Sequence, residues 1–239
     1  MLIRLFDFLN AYPYQRALQS VGLPYELHTS PREVWEAWRK HPGNAALLPF
    51  AKVAYMPKGL SRWGIGSRGA VQSVLLLSEG PPQHWGGIRI DRRSISSAAI
   101  LYHLRDLGFL SSLPIIDSGE SCPYPTADLI IGDDALRLAP TFPYKVDLGE
   151  VSYRLLRRGN VFAVWWVDSE HLQQLDKIWR RFSPPPASWI EEAALRYGFS
   201  AERVRSYWRS LRYRLPPLGR AYWRRTFRRM YDSLSKSPS

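Results

Sequence analysis

Short apolar runs and amphipathic stretches alternate along the first two thirds of the chain. Residues 3–8 form a strand-length apolar run that ends in the polar corner LNAYPY. Residues 14–21 behind it have helical spacing up to a stop at Gly22. YELHTS (25–30) predicts a second strand. SPREVWEAWRK then carries Ser30 as N-cap, Pro31 at the first helical position and Glu33 three residues past the cap, which predicts a helix with a capping box. NAALLPFAKVAYM predicts a short strand and a turn of helix, and strands follow at 71–77 and in GGIRID (86–91). RRSISSAAILYHLRDLGF predicts a helix whose start is marked by Ser94, Ser96 and Ser97. ADLIIGDDALRL reads as a buried strand, a Gly-Asp-Asp turn and a helix. KVDLGEVSYRLL and VFAVWWV add a strand with a helical turn and a strongly apolar strand. From about Asp168 the pattern predicts helices only, one of them stopped by Gly198. Strands alternating with helices predict an α/β fold with mostly parallel sheet.

Composition narrows this picture. The 239 residues, 45% of them hydrophobic, suffice for one large domain or two compact lobes. Lys plus Arg number 33 against 21 Asp plus Glu, a formal charge of +12. A field of that sign attracts nucleic acid, anionic lipid or a small polycarboxylate without choosing among them. Cys122 is the single cysteine, so no internal disulfide forms. His28, His41, His84, His103 and His171 are scattered without ligand spacing, so no metal is expected. There is no Walker loop, dinucleotide fingerprint or nucleophile elbow, and no cofactor is expected. Residues 1–25 lack the pattern of a secretion signal, and no stretch approaches ~18 consecutive apolar residues, which together predict a cytoplasmic protein without a membrane span.

Four polar corners stand at strand ends or helix starts, where α/β folds hold ligands. Asn10 follows the first strand. Ser67, Gly69 and Ser73 lie in SRGAVQS, Ser96 and Ser97 open a helix, and Gly132 and Asp133 follow another strand. Each has an ordinary alternative: Ser96, Ser97 and Asp133 as helix caps, Asn10 as a turn residue, SRGAVQS as a surface turn before a core strand. Together they supply hydroxyl, amide and backbone N–H groups with few charges, a set suited to a carboxylate.

IRLFDFLNAYP, NAALLPFAKVAY, SRGAVQSVLLLS, SISSAAIL, ADLIIGDDAL and VDLGE with VFAVWW follow one another in the order and spacing of the chorismate dehydratases of the futalosine route to menaquinone. RYGFSAERVRSYWRSLRYRL is similar to that family's helical tail, so the resemblance covers nearly the whole chain. It implies the two-lobed fold of type-II periplasmic binding proteins with a helical C-terminal tail. Residues 1–75 and 165–239 would form lobe one and 76–164 lobe two, with hinges near 73–78 and 162–167 and the ligand cleft between the lobes. It implies a small dicarboxylate substrate, chorismate, and elimination of water to give 3-(1-carboxyvinyloxy)benzoate. Asn10 would be the catalytic positioning group, and Ser67, Gly69, Ser73, Ser96, Ser97, Gly132 and Asp133 would bind substrate. The sister dihydroxynaphthoate synthase uses a histidine base, and this chain has no histidine in a comparable corner. Two positions depart from the family pattern. Ser152 stands where Trp is common, and Leu156, Arg157, Arg158, Gly159 and Asn160 replace a Thr-Gly-Leu-Pro-Phe run implied to lie near the cleft.

Two readings of other classes stand beside this one. A non-catalytic binding protein for a small carboxylate would share the fold. A nucleic-acid binder would use the Arg- and Trp-rich stretch 203–231, unless Trp208, Leu211, Tyr222, Trp223 and Phe227 pack inward and leave the arginines as a solvated face.

Overall fold

The computed structural model describes residues 1–56, 58–91, 93–116, 122 and 124–234, with side chains through Met230. Its strands, numbered along the chain, are β1 (Ile3–Phe6), β2 (Glu26–His28), β3 (Ala45–Pro49), β4 (Leu60–Ser67), β5 (Val74–Ser78), β6 (Gly87–Ile90), β7 (Ile115–Ile116), β8 (Thr126–Ile131), β9 (Tyr144–Asp147), β10 (Asn160–Val167) and β11 (Leu211–Arg214). Its helices are α1 (Tyr12–Ser20), α2 (Pro31–Lys40), α3 (Phe50–Val53), α4 (Ser96–Asp106), α5 (Gly132–Leu138), α6 (Leu148–Leu156), α7 (Leu172–Arg181), α8 (Ser188–Tyr197), α9 (Ala201–Ser210) and α10 (Pro217–Leu234).

The strands make two sheets. One has six strands in the order β11-β4-β10-β3-β1-β2, the other five in the order β7-β6-β8-β5-β9. Parallel pairs are β1 with β2 and β3, and β6 with β7 and β8. The pairs of β10 with β3 and β4, β11 with β4, and β5 with β8 and β9 are antiparallel. The sheets are therefore mixed rather than mostly parallel. The reason is the route of the chain: β10 returns from the second half and enters the first sheet against the direction of β3.

The chain crosses between halves twice, from Ser67 to Val74 and from Leu156 to Asn160. Val74 and Leu75 pair within the five-stranded sheet, and all of β10 belongs to the six-stranded one. The crossings thus fall at 68–73 and 157–159, a few residues before the expected hinges.

Local signals in the sequence account for several element ends. Ser30 accepts the Glu33 N–H at 3.3 Å, while the Glu33 carboxylate turns back to the Thr29 N–H at 3.0 Å. The box closes one residue further back than its usual form. Gly198 ends α8 in the left-handed region at φ 70°. Strand β10 is buried along most of its length because Trp165 packs between Tyr14 and Trp179, with ring centroids at 5.3 and 5.1 Å. The chain after Asp168 is not helical throughout, since Leu211 and Tyr213 bury into the first sheet as edge strand β11 while Arg212 and Arg214 face out. Trp208, Leu211, Trp223 and Phe227 are buried, and Tyr222 is half-buried against the core with its hydroxyl 2.7 Å from His103 Nε2, so these residues of the tail pack inward.

Candidate functional site

A cleft of about 490 Å³, counted to its open mouth, lies between the two sheets. One wall comes from the six-stranded half: Phe6 on β1, Phe8 and Asn10 just after it, Ile65 on β4 and Phe162 on β10. The opposite wall comes from the five-stranded half: Ser94, Ser96 and Ser97 at the start of α4, and Ile131 and Gly132 where β8 meets α5. Val71 and Ser73, on the first crossing, close one side. Asn10, Ser73, Ser96, Ser97 and Gly132, five of the residues singled out in the sequence, are brought together here.

Asn10 sits in the turn between β1 and α1. Its side chain is buried at 9% exposure, and its Oδ1 has no hydrogen-bond partner among the described residues. Ser94 Oγ on the facing wall is buried and unpartnered in the same way. Two buried polar atoms without partners, on opposite walls of one cleft, are costly unless a ligand meets them. Ser94, Ser96 and Ser97 do not cap α4: its N-cap position is Ile95, and among the described residues no side chain accepts from its first turn. The free N–H groups of that turn and its positive dipole end therefore remain available to an anion. Ser96 Oγ instead accepts the Ala51 N–H of α3 at 3.2 Å, joining the two halves.

Ser73 is held from behind by a residue that local sequence does not connect to it. The Tyr207 hydroxyl, from α9, donates to Ser73 Oγ at 2.7 Å. With its oxygen accepting from Tyr207, the Ser73 O–H is left to donate elsewhere. Burial pushes the Tyr207 hydroxyl well above its usual pKa, against the hydrogen bond it shares with Ser73. It stays a neutral phenol behind Ser73. Gly132 is required twice over. Its φ is 66°, and a Cβ there would come within 2.8 Å of the Phe8 ring.

Three of the expected binding residues lie outside the cleft lining. Ser67 is fully buried and donates to the Gly69 carbonyl at 3.2 Å while accepting from Asn160 at 3.4 Å. Gly69 has φ 105° with open space where a Cβ would stand, so the turn of the crossing is what requires a glycine there. Asp133 neither caps α5 nor faces the cleft; its carboxylate accepts the Leu9 N–H at 3.0 and 3.2 Å, across the halves. Burial raises its pKa to about 6, with the Leu9 bond opposing. The crossing itself is held by Asp147, which accepts from Val71 and Gln72, the latter at 2.7 Å, and from Glu150 at the start of α6.

Arg93 is the one ionisable residue in the cleft lining. It is already committed, with Nη2 at 2.8 Å from Asp91 and 2.7 Å from Asp134. Its hydrogen bonds to Asp91, opposed by burial and reinforced by Asp134, hold it protonated. Arg93, Ser94 as a cleft residue and Tyr207 all escaped the sequence reading. The clustered serines of RRSISS are the only trace they leave there.

The two departures from the family pattern touch each other. Ser152 donates to Asn160 Oδ1 at 2.6 Å, and Asn160 donates to the Gly149 carbonyl at 3.2 Å; both side chains are fully buried. They form a polar pair beneath the crossings, outside the cleft lining.

A family model described as menaquinone biosynthesis matches residues 3–232. No curated protein sequence matches the chain. Among solved structures, protein AF1704 from Archaeoglobus fulgidus aligns with a TM-score of 0.63 at 11% identity, over 98% of this chain and 97% of that one. The alkanesulfonate-binding protein SsuA from Xanthomonas axonopodis pv. citri, bound to MOPS, aligns with a TM-score of 0.65 at 10% identity, over 100% and 94%. The periplasmic aliphatic sulphonate binding protein SsuA from Escherichia coli gives 0.54 at 12%, over 100% and 94%. At these identities the structural likeness carries the fold alone, an α/β periplasmic-binding-protein-like fold. Among the described residues no helix is long and apolar enough to cross a membrane. With the family model spanning nearly the whole chain, the chain belongs to the menaquinone biosynthesis family.

Proposed function

We propose that this chain is a chorismate dehydratase of the futalosine route. The observation that carries the reading is the make-up of the cleft. Its lining holds an amide, four serines, one committed arginine and apolar surface, with no carboxylate, histidine, lysine or cysteine among the described residues. Such a site has donors and no base, which suits a substrate that brings its own. Chorismate is a dianion with a ring carboxylate and an enolpyruvyl carboxylate. The proton leaves the ring carbon bearing the enolpyruvyl ether for that second carboxylate, the C–H electron pair becomes ring π bond, and the C–O bond of the ring hydroxyl breaks with its pair on oxygen, which takes the proton back from the carboxyl group and departs as water. Aromaticity drives the step, so the protein has mainly to position and desolvate. Stripping water from the substrate carboxylate raises its basicity.

In this reading residues 1–73 with 160–234 are one lobe and 74–159 the other. Ser73 takes one carboxylate, and the start of α4, through Ser94 and Ser97, takes the other. Neither lobe satisfies the dianion alone, so binding favours the closed arrangement. Asn10 orients the departing hydroxyl; a neutral amide is no base. The absence of a base from the lining also favours a second reading, a non-catalytic carboxylate-binding protein.

Incubation with chorismate separates the two. Loss of the cyclohexadiene absorbance with growth of the aromatic product is expected, and binding without turnover would assign the binder. In Asn10→Ala we expect turnover to fall at least about a hundredfold while chorismate still protects against thermal unfolding. Turnover at the parent rate would remove Asn10 from the mechanism.

A further inference from the structure

Between Arg203 and Tyr231 the chain carries ten arginines and no Asp or Glu. Arg4, Arg16, Arg62, Arg89, Arg93 and Arg196 are each paired with a carboxylate, but among the described residues none of those ten is. The densest group lies on α10. Arg220 and Arg224 spend their guanidinium groups on the carbonyls of Ser61, Ala54 and Met56, and Arg228 donates to Tyr55 O at 2.8 Å. Carbonyl bonds hold these side chains in place without neutralising them. Arg224 records the consequence: after burial, repulsion from Arg228 and Arg220 lowers its pKa. Arg225 and Arg229 stand exposed on the outward face of the same helix, and Lys52 and Lys58 are exposed on either side of the turn to which the helix is tied.

We propose that this outward face of α10, with Lys52 and Lys58, is a docking surface for an anionic phospholipid bilayer. Five arginines lie along an 18-residue helix about 27 Å long and two lysines stand beside it, an extended row rather than a cage around one anion. Clusters of this size bind negatively charged leaflets. Exposed among them are Leu218, at 69%, and Tyr55, at 41%, side chains that settle at a membrane interface. A nucleic acid finds less here. Trp208, Tyr213, Trp223 and Phe227 are buried at 7%, 7%, 0% and 3% exposure, so the aromatic groups that would stack on bases are inside.

The test is co-sedimentation with phosphatidylcholine vesicles containing about 30% phosphatidylglycerol. Binding is expected at about 0.05 M salt, loss of binding at about 0.5 M, and none to pure phosphatidylcholine. R225E/R229E changes two exposed side chains with no hydrogen bond or ion pair among the described residues, and it is expected to lower vesicle binding at least about tenfold with melting temperature unchanged. Equal binding to neutral vesicles, no binding at low salt, or parent-like binding by the variant would overturn the proposal. So would release from the vesicles by RNA at a phosphate concentration below that of the anionic lipid.

Discussion

The cleft and the outward face of α10 are both suited to anions, and they differ in almost every physical respect. The cleft lining has one cation, tied to two carboxylates, and relies on buried hydroxyls, an amide and a helix start. The α10 face has uncompensated charge in open solvent. Fixed dipoles in a closed site act at short range and are little screened, whereas exposed charge acts at long range and is weakened by salt. The comparison teaches that the net charge of +12 describes a surface of this protein and not its candidate site.

The strongest way to break that contrast is through Ser73 and Ser97. A hydrogen bond to a charged group contributes roughly 1.5–3 kcal/mol, so Ser73→Ala and Ser97→Ala are each expected to weaken chorismate binding about ten- to a hundredfold, measured by calorimetry. R225E/R229E should leave that affinity unchanged. Parent-like affinity in both serine variants would mean that the cleft is not where the dianion is held.

The second test concerns stability. Asn160 is fully buried and makes three hydrogen bonds, so Asn160→Ala is expected to cost roughly 3 kcal/mol in denaturant unfolding. Ser152→Ala/Asn160→Ala should cost less than the two single changes added, because losing Asn160 already strands the Ser152 hydroxyl. Simple additivity would show the pair to be uncoupled.

The smallest effect is set by pH. The folded Asp133 pKa, about 6, lies above its unfolded value, so the contribution of this group to stability is complete below about pH 4 and is lost as pH rises through 6. Asp133→Asn keeps an acceptor for the Leu9 N–H and does not titrate. The stability difference, parent minus variant, should therefore fall by roughly 2 kcal/mol between pH 4 and pH 7. A flat difference would place Asp133 in a better solvated site than its burial implies.

Much of this was legible in the chain. The polar corners at Asn10, Ser73, Ser96–Ser97 and Gly132 converge on one cleft because each stands at an end of a strand or opens a helix, and such ends gather where two sheets face each other. The corner at 67–69 lies outside the cleft lining for a definite reason. A turn rich in small polar residues binds an anion or joins two halves with the same composition, and only the position of β10 beside Ser67 decides between them. Strand β4 went unread because LSRWGIGS lacks an alternating pattern. Its Gly64 and Gly66 are there for close packing, since a Cβ would meet the Ala163 and Asn160 carbonyls at 2.2 and 2.5 Å.

What the sequence determined alone is local: where helices begin at Ser30 and end at Gly22 and Gly198, which segments are apolar enough for core, and which corners are polar without charge. These depend on neighbours a few residues apart. Tertiary structure decided which corners share a cleft, that Tyr207 supports Ser73 across 134 residues, that Asp133 serves Leu9 across 124, and that Ser152 and Asn160 answer each other. A buried hydroxyl or carboxylate takes whatever partner the packing brings to it, and that partner is set by the crossing of two sheets, not by anything written beside it in the chain.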